Sequence, residues 1–189
     1  KIIKSFKKTF NNLFDVFEPS ITGISASAYK NYDAKNILTL KYIKFLNWER
    51  YTKWLDETMT YSAGIFGNTK CLAGSQRAKY SRIIEQLKLK DGNSVLEIGC
   101  GWGGFAEHAI SKHNINYRGI TISNEQLDYT NKRLNKITHM KNPAIFEDYR
   151  DTLGTFDKIV SIEMFEAVGQ KHWQSYFETI KNRLKPDGK

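Results

Sequence analysis

Val95-Leu96-Glu97-Ile98-Gly99-Cys100-Gly101-Trp102-Gly103-Gly104 is the stretch that decides the fold. It reads as a buried strand that breaks into a glycine-rich turn, followed by a helix from Phe105 to about His113. Gly99, Gly101 and Gly104 satisfy G-x-G-x-x-G, the spacing that lets a backbone turn sharply beneath a nucleotide-like ligand. A strand-to-helix turn that serves no ligand can carry the same spacing. A dinucleotide site requires an acidic residue about 20 positions on, to hold the ribose hydroxyls. The next strand, Tyr117-Arg118-Gly119-Ile120-Thr121-Ile122-Ser123, ends in hydroxyl residues, with no Asp or Glu between Ala109 and Asn124. That argues against a nicotinamide cofactor.

Outward from this turn the chain alternates. A helical pattern from Gln76 to Leu89 runs through Tyr80, Ile83, Ile84 and Leu87, and Asp91-Gly92-Asn93 is turn chemistry. Strands are expected at 94–99, 116–121, 144–147 and 156–162, and helices at 104–113, 123–136 and 171–184. Such alternation implies an α/β fold, with parallel strands joined by right-handed crossovers and helices on both faces. Ser123 is placed to cap the helix that follows it. Leu184-Lys185-Pro186-Asp187-Gly188-Lys189 reads as a turn leading into another strand.

Composition excludes several classes. The 189 residues fit one domain with a sizeable core, 40% hydrophobic and 26% charged. No apolar run reaches the roughly 18 residues of a membrane-spanning helix, and Lys4, Lys7 and Lys8 interrupt any secretory signal. Cys71 and Cys100 carry no disulfide or zinc spacing, which fits a reducing compartment; Cys100 reads as a small residue required by the turn. The four histidines show no metal-ligand spacing, so no metal is expected. A net charge of +9 favours anionic partners. Nucleic acid is the less favoured of these, because N-P-P-Y-type amine-methylating motifs are absent.

The N-terminal region has its own pattern. Ile2, Ile3, Phe6, Phe10, Leu13, Phe14 and Phe17 fall on one helical face, with four lysines toward its start. Such a helix can lie in a membrane interface or pack on its own domain. Pro19 and Ser20 end it. A second helix is expected from Ile37 to Thr58.

In order along the chain, V-L-E-I-G-C-G-W-G-G, G-I-T-I-S-N-E-Q, D-Y-R-D and F-D-K-I-V-S-I-E-M-F-E-A-V-G resemble the cyclopropane-fatty-acyl-phospholipid synthase family, which includes the mycolic acid cyclopropane synthases. Met59-Thr60-Tyr61-Ser62-Ala63-Gly64-Ile65-Phe66 resembles the same family's lead-in to its cofactor site, and Asn31-Tyr32-Asp33-Ala34-Lys35-Asn36 resembles a lid element, with Lys35 in place of a glycine. The resemblance covers about two-thirds of the chain, from Trp54 to Gly188. It implies a Rossmann-like class I methyltransferase fold. Residues 1–75 would form a helical, membrane-facing lid, and residues 76–189 an S-adenosylmethionine-binding domain. The family fold continues for three further strands, so these are expected to be missing and the fourth strand, Lys158 to Ile162, to be a sheet edge; both ends of the chain suggest a fragment.

The resemblance also assigns residues. Gly99, Gly101 and Gly103 would let the backbone approach the methionine part of S-adenosylmethionine, and Glu97 would hold its amino group, directly or through water. Thr121 and Gln126 match ribose contacts, Asp148 and Tyr149 match the adenine edge, and Tyr61 and Ser62 close over the cofactor from the lid side. The implied reaction adds the methyl carbon to a cis double bond of a phospholipid acyl chain, and a base then removes a proton so that the ring closes. In the family that base is bicarbonate, held in part by a cysteine backbone, a glutamate and a histidine. Glu166 matches the glutamate and is the catalytic candidate, but Ala63 replaces the cysteine and Ala167 the histidine. The expected function is cyclopropane fatty acid synthesis by a cytoplasmic enzyme associated peripherally with the anionic inner membrane surface. A homodimer is left open. Methyl branching without ring closure, and a non-catalytic cofactor-binding fragment, are the alternatives.

Overall fold

β1, Ser94–Ile98, lies inside the sheet and is covered on both faces. It pairs in parallel with β2, Asn116–Thr121, on one side and with β4, Lys158–Val160, on the other; β2 pairs in parallel with β3, Ala144–Phe146. The strand order is β3-β2-β1-β4. The structure is a computed structural model and describes residue 53, residues 55–67 and residues 69–189. The helix expected at 1–17, the 31–36 element and most of the 37–58 helix, hence most of the lid, lie outside the described residues.

Helices α1 (Leu72–Leu87), α2 (Gly104–Ile110), α3 (Asn124–Leu134) and α4 (Trp173–Arg183) complete the fold. Because successive strand residues point to opposite faces, β1 feeds two cores. Val95 joins Tyr80 and Ile84 of α1, Phe105 and Ala109 of α2 and Leu134 of α3, whereas Leu96 and Ile98 join Ile120, Phe156 and Tyr176 of α4. Val95 and Leu96 have no exposed surface. Burying side chains of this size contributes about 1.5–3 kcal/mol each, which is why β1 is a nearly continuous apolar run. Glu97 interrupts that run at its carboxyl end.

Local chemistry sets the element ends. Cys71, not Gln76, marks the start of α1: its Sγ accepts from the Gly74 amide at 3.3 Å. Lys88, at φ +50°, closes that helix with a left-handed cap. Ser123 caps α3 by accepting from the Gln126 amide at 3.2 Å. β4 is shorter than 156–162, and two 3-10 turns, Phe165–Ala167 and Gln170–His172, lead from it into α4. β4 stands at the edge of the sheet, yet its outer side is partly paired: Lys189 donates its amide to Asp157 and accepts from Ile159. Among the described residues no helix is long and apolar enough to cross a membrane.

Asp157 joins β1, β4 and the segment after α4. Its Oδ2 accepts from the Ser94 amide (2.8 Å) and hydroxyl (2.7 Å), and Lys185 Nζ lies 2.9 Å from both oxygens. The Ser94 bonds, then Lys185, hold this carboxyl well below the usual carboxylate range. With its folded pKa below the unfolded value of about 3.9, the stabilisation is complete above that pH and is lost as pH falls through the folded value. Asp157→Asn should therefore lower stability at neutral pH by about 1–2 kcal/mol. In urea titrations it should also lose less than wild type on acidification from about pH 4 to about pH 2. An equal acid sensitivity in the two proteins would remove Asp157 from the acid response.

Candidate functional site

Beyond Ile98 the backbone leaves its ladder and must find new partners. The amides of Gly99 and Cys100 both donate to Ile120 O, at 3.0 Å, and the Gly103 amide donates to Cys100 O at 3.0 Å. Gly101, at φ +53°, faces open space: a Cβ built there would meet no atom within 4 Å. Gly103, at φ +79°, differs. A Cβ there would come within 2.9 Å of Thr130 Cγ2 on α3, so its lack of a side chain serves close packing. Cys100 is buried against Gly119, where a Cβ would lie 2.8 Å from Cys100 Cβ.

A cavity of about 430 Å³ opens at the carboxyl ends of the four strands. Strand order reverses direction across β1, and open α/β sheets bind ligands at such a switch point. From the end of β1 come Glu97, Gly99 and Gly101; from β2, Thr121, with Gln126 from α3. Asp148 and Tyr149 follow β3, and Tyr61 and Ser62 come from the segment before α1. Gly103 and Glu166 do not line the cavity. In the Phe165–Ala167 turn, Ala167 faces the cavity while Phe165 packs on Trp173 and Tyr176. Glu166 between them is left exposed.

The polar wall is preset. Glu97 is 3% exposed and accepts a short hydrogen bond from the Tyr117 hydroxyl. Burial pushes its carboxyl up to about 8, against the lowering effect of the Tyr117 bond. Thr121 Oγ1 lies 2.8 Å from Gln126 Oε1. The Arg150 guanidinium grips both Asp148 oxygens, at 2.8 and 2.6 Å, and so fixes the orientation of that buried carboxylate. Tyr149 stacks edge-on against Tyr176 with ring centroids 5.0 Å apart.

Three residues of consequence went unread in the sequence. Lys79 sits on the buried face of α1, where its Nζ donates to Ala63 O at 2.8 Å and to Ser62 Oγ. Arg133 on α3 donates to Thr58 O (2.8 Å) and Trp102 O (3.3 Å) and pairs with Glu107. Glu163, at φ +49°, lines the cavity and accepts from the Ala63 amide at 2.9 Å through Oε1. The available signal was polar residues inside a helical apolar pattern: Ser75, Gln76 and Lys79 precede Tyr80 on one buried face. Glu163 had no such signal, because the contact spans 100 positions of sequence.

The family model described as mycolic acid cyclopropane synthetase matches residues 45–189. Cyclopropane-fatty-acyl-phospholipid synthase of Escherichia coli (strain K12) is 39% identical over 138 residues, which cover 73% of this chain and 35% of that protein. Tuberculostearic acid methyltransferase UfaA1 of Mycobacterium tuberculosis is 35% identical over 147 residues, covering 73% of this chain and 34% of that one. The chain thus spans about a third of the length of these two relatives. Among solved structures, the cyclopropane synthase MmaA2 from Mycobacterium tuberculosis superposes with a TM-score of 0.67 at 31% identity, over 73% of this chain and 49% of that one. Mycolic acid cyclopropane synthase CmaA1 complexed with SAH and CTAB gives 0.70 at 28%, over 76% and 51%. The parallel sheet with helices on both faces is the one these proteins share. With its motifs gathered around one cavity and a family model covering most of its length, the chain belongs to the mycolic acid cyclopropane synthetase family.

Proposed function

We propose that this chain forms the S-adenosylmethionine-binding part of a methyltransferase of the cyclopropane-fatty-acyl-phospholipid synthase type, acting on the double bond of unsaturated phospholipid acyl chains. One observation carries the reading: four separate motif segments converge on a single cavity at the sheet's switch point. The residues present fit the cofactor. Gly101 offers open space where any side chain would intrude, and the Glu97 carboxyl meets the need of an ammonium group. A bound S-adenosylmethionine supplies an electrophilic methyl group. In this reading Thr121 and Gln126 orient the ribose, the fixed Asp148 carboxylate and Tyr149 take the adenine edge, and Tyr61 and Ser62 cover the site. The relatives' names, which include a cyclopropane synthase and a fatty acid methyltransferase, support a lipid acceptor. Docking at an anionic cytoplasmic membrane face and homodimer formation belong to the same proposal.

Methyl branching without ring closure is the second reading. Ala63 and Ala167, which replace the resembled cysteine and histidine, favour it. So does the name of the tuberculostearic acid methyltransferase. The deciding experiment incubates the natural gene product with labelled S-adenosylmethionine and mixed phospholipid vesicles. A product mass that survives mild hydrogenation unchanged is a cyclopropane; one that gains two hydrogens is a branched alkene. No label in lipid would exclude both readings.

Two binding predictions follow from the cavity wall. Gly101→Val should weaken S-adenosylhomocysteine binding by at least about tenfold in calorimetry, because the Cβ enters the ligand's space and a β-branched residue is strained at that positive φ. Unchanged affinity in a folded variant would sink the cofactor assignment. Glu97 gives a pH signature. A carboxyl near pKa 8 is mostly neutral at pH 7, and an ammonium placed beside it draws it to the charged form. Binding should therefore release close to one proton at about pH 7, read from the dependence of heat on buffer ionisation, and affinity should rise from about pH 6 to about pH 8. Glu97→Gln should abolish both effects. The same raised pKa makes the folded state lose stability as pH rises from about 4.3 toward 8, so Glu97→Gln should be more stable than wild type at about pH 8.

A further inference from the structure

Glu97 meets the cavity from a setting that β1 and β2 build behind it. In their register Glu97 stands directly across from Gly119, and Tyr117 lies two residues back on the same face of β2. The path from Tyr117 to Glu97 crosses Gly119, whose missing side chain clears it. A Cβ there would come within 2.5 Å of the Tyr117 hydroxyl oxygen and 2.8 Å of Cys100 Cβ. Tyr117 is buried, and its hydroxyl donates to Glu97 Oε2. The tyrosine itself does not line the cavity. No described residue donates to Glu97 Oε1. One oxygen is thus held from behind, and the other is left to the cavity that Glu97 lines.

The titratable groups that face this carboxyl are Tyr117 from β2, Cys100 from the turn and Tyr80 from α1. Burial, aided by the charge of Glu97, pushes all three upward, so each stays neutral while Glu97 changes charge. No described lysine, arginine or histidine contributes to its ionisation. Among the described residues it is the Tyr117 hydroxyl that opposes burial and favours the ionised carboxylate.

We infer that Tyr117 is a positioning residue of the cofactor site, a donor behind Glu97 that aims its carboxylate at the ammonium group of S-adenosylmethionine and sets the pH at which the site loads. The inference rests on the methyltransferase reading above. When the ammonium enters, Glu97 releases its proton to water, Tyr117 keeps Oε2, and Oε1 meets the cation. A hydroxyl bonds a carboxylate more strongly than a neutral acid, so the tyrosine assists this change of charge. Phenylalanine would fill the same space but leave Oε2 buried without a donor, which favours the protonated acid.

The test compares wild type, Tyr117→Phe, Glu97→Gln and the double variant in the natural gene product. Calorimetry from about pH 6 to about pH 9 measures affinity for S-adenosylhomocysteine, which carries the ammonium, and for adenosine, which lacks it. In Tyr117→Phe the rising limb of S-adenosylhomocysteine affinity should move up by about one pH unit, which lowers affinity at about pH 7 by about tenfold. Adenosine affinity should stay within about twofold and show no such limb, because its binding groups lie away from Glu97. In the Glu97→Gln background the same substitution should cost less than about twofold, since no charge remains for the hydroxyl to hold. A limb unmoved in Tyr117→Phe would overturn the inference. An equal loss of adenosine affinity would also overturn it and make Tyr117 a packing residue of the core. Failure of the methyltransferase reading itself would show differently, as wild-type protein that binds neither ligand, and this inference would fall with it.

Discussion

A strand buried on both faces cannot simply stop, because each amide and carbonyl past its end needs a partner that water does not supply. The turn after β1 meets this demand from three directions. Ile120 of the neighbouring strand accepts from Gly99 and Cys100, Thr130 donates to Gly101 O at 2.9 Å, and Arg133 donates to Trp102 O. Strand β2 and helix α3 thereby hold the floor of the cavity. The glycines allow the path, but these partners fix it. The open space at Gly101 is what remains on the side where no protein atom approaches.

The opposite wall is held by different means. Among the described residues before α1 there is no strand or helix, yet Met59 and Thr58 are buried. Polar side chains on an otherwise apolar helix face do the holding. Gln76 and Lys79 reach Ser62 and Ala63, and Tyr80 closes a hydroxyl chain through Thr60 to Thr58, with 2.7 Å between the two threonine oxygens. Burial pulls the Lys79 ammonium below its usual range, so the helix pays a desolvation cost to place a donor there. That cost is offset by satisfying the Ser62 and Ala63 carbonyls, which are turned toward the buried face of the helix. The same pinning presents the Ala63 amide to Glu163, which ties α1 to the chain beyond β4 across the mouth of the site.

Electrostatics divides the wall between fixed and responsive groups. Asp148 is locked by a guanidinium, whereas Glu97 is buried with a hydroxyl partner and titrates near neutrality. A site built this way is rigid at Asp148 and adjustable at Glu97, which suits the proposed reading of a neutral ring edge by the first and an ammonium group by the second.

Much of this was legible in order along the chain. The alternation of apolar runs and turns located the four strands and four α-helices of the described residues, because a doubly covered strand has to be nearly all apolar and an amphipathic helix has to repeat every 3.6 residues. The element ends were less legible. Cys71 starts α1 through a thiol that accepts a hydrogen bond, and β4 ends at Val160, three residues before Glu163 turns left-handed; neither choice shows in a hydropathy pattern. The glycine spacing located the turn but could not separate Gly101, which faces the cavity, from Gly103, which faces Thr130, because that difference depends on which neighbour packs beside each one. Glu163 and Glu166 stand three residues apart with the same side chain, yet only Glu163 lines the cavity, while Glu166, within the Phe165–Ala167 turn, lies off it. Local sequence by itself determines where a chain is apolar, where it turns and which motif it carries. Only the tertiary structure decides which polar groups meet, because a hydrogen bond such as that from Ala63 to Glu163 joins positions whose separation in sequence carries no information about their distance in space.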